Sequence, residues 1–65
     1  MKISLKAARI NAGLLQTDVA AELGVAPKTV SNWEQGKNKP RGEAVIALCR
    51  LFGRTIEEIE WEVKA

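Results

Sequence analysis

The sequence predicts an all-α fold of five short helices, and three observations support it. Apolar residues recur at spacings of three and four, whereas no run of strand length alternates apolar and polar residues. Glycines at positions 13, 24, 36 and 53 would each close a segment of roughly eight to twelve residues. The chain has 65 residues, which suit one small domain with a marginal core. We therefore expect a single compact domain, residues 1–65, without strands.

The first two helices are predicted from capping residues and apolar spacing. Helix one would run from about Leu5 to Ala12, with Ser4 as its N-cap. Helix two would run from about Gln16 to Leu23 and end at a glycine, which adopts the left-handed conformation at little cost. The residues expected to face inward are Leu5, Ala8, Ala12, Val19, Ala20 and Leu23.

Three further helices are expected after a three-residue turn. Helix three would run from Pro27 to Gln35, and proline suits its first position because the missing N–H would have no partner there. Helix four would run from about Gly42 to Phe52, and helix five would begin after Thr55. Their expected inward residues are Val30, Trp33, Val45, Leu48, Cys49, Phe52, Ile56, Ile59 and Val63.

Composition argues against several classes of function. Hydrophobic residues make up 46% of the chain and charged residues 28%, a globular balance. With no histidine and one cysteine, Cys49, we expect no internal disulfide, no metal site and no catalytic centre. The N-terminus MKISLKAARI lacks the apolar core of a signal peptide, and no apolar run approaches the length of a membrane span. We expect a cytoplasmic protein that is not an enzyme.

Charge is unevenly distributed along the chain. The formal net charge is +2. Residues 24–41 carry four basic residues against one glutamate, whereas residues 55–65 carry four glutamates against one lysine. A basic middle segment is thus followed by an acidic end.

The segment QTDVAAELGVAPKTVSNWEQ, residues 16–35, has apolar residues at its fourth, eighth, tenth, fifteenth and eighteenth positions, alanine at the fifth and glycine at the ninth. This pattern resembles the helix-turn-helix of the phage repressor and Cro family, called the XRE type. The resemblance runs from LKAARINAGLLQ to TIEEI, nearly the whole chain. It implies a five-helix, lambda-repressor-like DNA-binding domain whose third helix enters the major groove, usually as half of a dimer.

The outer side of the third predicted helix has the chemistry needed to read DNA bases. Val30 and Trp33 define its inner side, at roughly 100° per residue. Opposite them lies a row without acidic residues: Lys28, Ser31, Asn32 and Gln35. Amides pair with adenine and lysine with guanine, although an ordinary solvated face is the simpler alternative for an isolated helix.

Phosphate contacts are expected on both sides of this row. The resemblance implies that Gln16, at the start of helix two, holds a phosphate. The loop GKNKPR after helix three suits the sugar-phosphate backbone, and a purely solubilising loop is the alternative. The complete predicted set of DNA-binding residues is Gln16, Lys28, Thr29, Ser31, Asn32, Gln35, Lys37, Asn38, Lys39 and Arg41.

Four further residues receive structural or interface roles. Glu34 lies toward the inward side of its helix, where an unpaired carboxylate would be costly. The family resemblance implies that Arg9, in helix one, forms an ion pair with it. Arg54 and Trp61 are candidate dimer contacts, because the family often dimerises through its last helices. For Trp61, an ordinary exposed apolar residue is the alternative.

The sequence as a whole predicts sequence-specific binding of double-stranded DNA by a transcriptional regulator. A repressor bound as a homodimer to a roughly palindromic operator is the leading hypothesis. The alternative is an antitoxin-like or coactivator-like adaptor that keeps the fold but binds another protein. We expect no cofactor, membrane contact or small-molecule ligand, and the resemblance implies a bacterial or phage-encoded protein.

Overall fold

The computed structural model describes residues 1–62 and folds them into four α-helices and one pair of short strands. The helices are α1 Leu5–Asn11, α2 Gln16–Leu23, α3 Pro27–Gln35 and α4 Gly42–Phe52, and the strands are β1 Ile3–Ser4 and β2 Ile59–Glu60. Helices α2, α3 and α4 have the predicted bounds, whereas α1 ends before Ala12, which is exposed rather than inward. Within residues 1–62, no helix is long and apolar enough to cross a membrane.

The core lies where the inner faces of the four helices meet β2. Its side chains all come from positions predicted to face inward, and each stabilises the fold by about 1.5–3 kcal/mol if large and fully buried. The buried apolar residues are Leu5, Ala8, Val19, Ala20, Val30, Trp33, Leu48, Phe52 and Ile59. Leu23 and Cys49 pack against this cluster while remaining partly exposed.

The prediction of a fifth helix is wrong. After α4 the chain makes a single 3₁₀ turn, Ile56–Glu58, and then extends into β2. The side chain of Ile59 is fully buried, and this residue pairs in parallel register with Ile3 of β1. Ile56, expected to face inward, is 51% exposed, and Val63 lies outside the described residues.

The expectation of no strands is also wrong, because the segment predicted as helix five contributes β2. Contrary to our interpretation of the sequence, the run IEWEV, residues 59–63, does alternate apolar and acidic residues over a strand's length, which is the pattern of a half-buried strand. Burial follows this alternation in the described part of the run, since Ile59 is buried and Trp61 half-buried while Glu60 and Glu62 are exposed. Ile56 and Ile59 matched a helical pattern only because they lie three positions apart.

The turn between α2 and α3 fixes the position of α3. Gly24 ends α2 with φ at 69°, a conformation that residues with a Cβ rarely adopt. The N–H of Val25 donates to the carbonyl of Ala20 at 3.0 Å, and the Val25 side chain packs against the core. Ala26 is extended, and Pro27 then begins α3. The turn therefore holds two short helices in close contact.

Helix α2 begins without a side-chain cap, which gives a test of stability. Leu15 occupies the N-cap, is 65% exposed, and donates its N–H to Asp18 Oδ2 at 2.8 Å. A serine there would also accept a hydrogen bond from the first turn. We expect Leu15→Ser to raise the free energy of unfolding by about 1 kcal/mol, measured by urea denaturation with an unchanged m value. The control Leu15→Ala removes the same apolar side chain without adding an acceptor, and an equal gain from it would contradict the capping explanation.

Candidate nucleic-acid interface

The predicted DNA-reading residues of α3 differ in exposure. Lys28 and Gln35 are exposed. The half-buried members are Thr29, Ser31 and Asn32. Gln35 Nε2 donates a hydrogen bond to Ser31 Oγ at 2.9 Å, one helical turn away. The row therefore presents at one end an ammonium that forms no ion pair within residues 1–62, and at the other an amide bonded to a hydroxyl.

Asn32 lies between these two ends and has an unsatisfied acceptor. Its Oδ1 is buried and accepts no hydrogen bond from the described residues. A buried acceptor without a partner costs about 1–3 kcal/mol. Rotation of the side chain toward solvent would relieve this cost and would make the oxygen accessible to a donor on DNA.

Glu34, on the side of α3 that faces α1, is held by an ion pair with Arg9. Arg9 Nε donates to Glu34 Oε2 at 2.6 Å and Arg9 Nη2 to Oε1 at 3.3 Å, a two-pronged arrangement. Arg9 Nη1 also donates to the Leu14 carbonyl at 2.9 Å. The two side chains are only 10% and 4% exposed. The pair thus joins α1 to α3 and leaves neither charge without a partner.

Gln16 belongs to the same network, an arrangement that the sequence analysis did not foresee. Its Nε2 donates to Glu34 Oε1 at 3.0 Å. An amide nitrogen carries two N–H groups, and Glu34 uses one of them. The other can donate to a phosphate at the N-terminus of α2, where unpaired backbone N–H groups also attract anions. Gln16 therefore links the Arg9–Glu34 ion pair to the predicted phosphate contact.

The basic loop, residues 36–41, follows α3 directly. Its predicted phosphate-binding residues are all exposed: Lys37, Asn38, Lys39 and Arg41. Lys39 Nζ lies 2.5 Å from Glu62 Oε1. Neither Lys37 nor Arg41 forms an ion pair with any residue of the described chain. Glu62 had no predicted role, although the opposite charges of the basic middle segment and the acidic end indicated that the two could meet.

The two candidate dimer residues lie near the 3₁₀ turn. Arg54 is half-buried, and its Nη1 lies 3.8 Å from Glu58 Oε2. Trp61 packs against the core, and its Nε1 donates to the Ile56 carbonyl at 2.8 Å. Trp61 is therefore engaged within its own chain, whereas Arg54 retains exposed surface.

An apolar groove lies beside Arg54. Its lining includes Ile46 and Ile56, each 51% exposed, together with Cys49. Burial raises the pKa of the Cys49 thiol, which favours the neutral form that suits an apolar surface. Two exposed isoleucines therefore line one groove, and a grouped apolar surface of this kind is a candidate contact site.

Comparison with known proteins identifies relatives of this arrangement. A family described as helix-turn-helix matches residues 5–59. The HTH-type transcriptional activator BcrR of Enterococcus faecalis is 33% identical over 55 residues, which cover 85% of this chain and 27% of that protein. The chain thus spans about a quarter of the length of this relative. No solved structure matches the chain.

Proposed function

The chain belongs to the XRE-type helix-turn-helix family of DNA-binding domains, and from this premise we propose that it recognises specific sequences in double-stranded DNA as part of a transcriptional regulator. Helix α3 would enter the major groove, and the basic loop would follow the flanking phosphates. The observation that carries the proposal is the outer row of α3, free of acidic residues and followed directly by a loop with three cations.

Individual side chains divide between base and backbone contacts. The Lys28 ammonium suits the O6 and N7 acceptors of guanine, and the Asn32 amide suits adenine. Ala26 and Pro27 have no side-chain donor and would contribute only apolar contacts, for example with a thymine methyl group. Gln16 and the basic loop would position the domain on the phosphates.

The proposal includes a homodimer on a roughly palindromic operator. The groove with Ile46, Ile56 and Arg54 offers the apolar surface that such a contact would bury. Repression needs only occupation of a promoter, and we retain it as the simplest mode of action. Similarity to a protein named as an activator makes activation the alternative.

Selection of genomic DNA fragments, followed by footprinting, tests this function. A dimer should protect two half-sites whose centres lie about 10 base pairs apart, or a multiple of that distance. Failure to enrich any sequence would contradict the proposal. The adaptor hypothesis rests on the exposed Leu15 and would be favoured if a purified protein partner bound while no duplex did.

The basic loop gives a test of backbone contact. We expect Lys39→Ala to weaken binding about equally for the selected operator and for a duplex of mixed sequence, because an ammonium contacting phosphate reads no base. The plot of log K against log salt should become shallower by about 1. Fluorescence anisotropy at several KCl concentrations measures both effects.

Lys6→Ala is the matched control for that test. It removes one exposed lysine from α1, which is outside the predicted interface. A weakening confined to the operator sequence, or an equal change of slope from both variants, would contradict a phosphate contact at Lys39.

A further inference from the structure

Glu62 is the member of the acidic end that reaches the basic loop. Glu58 instead accepts a hydrogen bond from the Thr55 N–H and lies near Arg54. Glu62 Oε1 lies 2.5 Å from Lys39 Nζ, and both side chains are well exposed, at 72% and 63%. The carboxylate therefore uses one of the three N–H groups of this ammonium and places a negative charge on the open surface where a phosphate would approach.

The chain on the N-terminal side of Glu62 is anchored at two points. Ile59 is fully buried and paired with β1, and Trp61 is tied to Ile56 by its indole N–H. Glu62 follows Trp61 directly, so its carboxylate is held close to the loop. Such tethering raises the effective concentration of one group near another. The pKa of Glu62 lies below its usual range because of the hydrogen bond and charge of Lys39, so the carboxylate is ionised at neutral pH.

We propose that Glu62 competes with DNA phosphate for the Lys39 ammonium and thereby restrains DNA binding. This inference rests on the proposed function and concerns its regulation. While the pair is formed, Lys39 contributes little net positive charge to the loop, and the Glu62 carboxylate repels a phosphate that approaches the same ammonium. Exposed ion pairs contribute little free energy, so DNA can break this one with a modest loss of affinity.

Isosteric removal of the carboxylate tests the competition. We expect Glu62→Gln to tighten binding to a fluorescein-labelled duplex of mixed sequence, about 30 base pairs or roughly three helical turns long, by about two- to fivefold at low salt. Glu60→Gln is the matched control, because it removes the same charge from an exposed residue of β2 that forms no ion pair in residues 1–62. Its effect should be clearly smaller.

The same two substitutions are then made in a Lys39→Ala background. Here we expect Glu62→Gln to have no larger effect than Glu60→Gln, because the group under competition is gone. If Lys39→Ala weakens binding but Glu62→Gln never tightens it more than Glu60→Gln does, the proposed competition is wrong while the phosphate contact of Lys39 is retained. If the unsubstituted protein binds neither this duplex nor any selected genomic fragment, the proposed function itself fails.

Discussion

Replacing Glu34 with glutamine should lower the free energy of unfolding by about 3 kcal/mol, the low end of what breaking a buried ion pair costs. Glutamine keeps the shape of the side chain but leaves the Arg9 guanidinium, which is 10% exposed, without its counter-charge. A domain of this size has roughly 3–10 kcal/mol of stability, so much of it would be lost. Urea denaturation followed by circular dichroism measures the change.

A double substitution distinguishes the loss of pairing from a general intolerance of the site. Apolar residues of similar volume often replace a buried ion pair with little loss, so Arg9→Met combined with Glu34→Leu should be more stable than Glu34→Gln alone. If the double variant is no more stable than the single one, an unpaired buried charge is not the cause. A loss below about 1 kcal/mol from Glu34→Gln would assign the pair the small contribution typical of the surface.

Replacing Asn32 with alanine should reduce discrimination at one base pair by about 1–3 kcal/mol, or roughly fivefold to more than a hundredfold, if Asn32 bonds to adenine. The same substitution should raise the thermal stability of the free protein, because it deletes a buried acceptor that has no partner among residues 1–62. Opposite changes in specificity and stability would identify Asn32 as a residue kept for recognition. Competition binding with operators changed at single positions measures the first effect, and thermal denaturation measures the second.

Ser31→Ala is the control for the stability part of this prediction. Ser31 is also half-buried in α3, so its replacement gains similar helix propensity, but its Oγ already accepts a bond from Gln35. A gain in melting temperature that is no greater for Asn32→Ala than for Ser31→Ala would show that the unsatisfied oxygen contributes nothing. Unchanged base preference in the Asn32 variant would remove this residue from the reading surface.

The four helices could be predicted because their signals are local. Gly24 and Pro27 mark the turn and the start of α3, and the spacing of Val30 and Trp33 gives its inner side. Tertiary packing agrees with each of these preferences, so short sequence windows were sufficient. The pairing of Arg9 with Glu34 is different, because it was inferred from the family resemblance and not from spacing.

The segment after α4 could not be predicted from local pattern alone. Its apolar residues fit a helix through Ile56 and Ile59 and a strand through Ile59 and Trp61. The choice between them depends on Ile3, a distant residue that offers a strand partner and a buried place for Ile59. Side-chain contacts such as Gln16 with Glu34 are equally invisible to the sequence, because they require the relative positions of separate helices.

The pairing of β1 with β2 also has a consequence for how the chain folds. Ile3 and Ile59 pair by closing a loop that contains nearly the whole described chain. Closing this loop has a high entropic cost, so the contact stabilises the chain only late in folding. The two strands should therefore form after the helices assemble. Native-state hydrogen exchange would then find their amides opening before those in the interior of α3, and loss of the first four residues would expose Ile59 while the helices remain assembled.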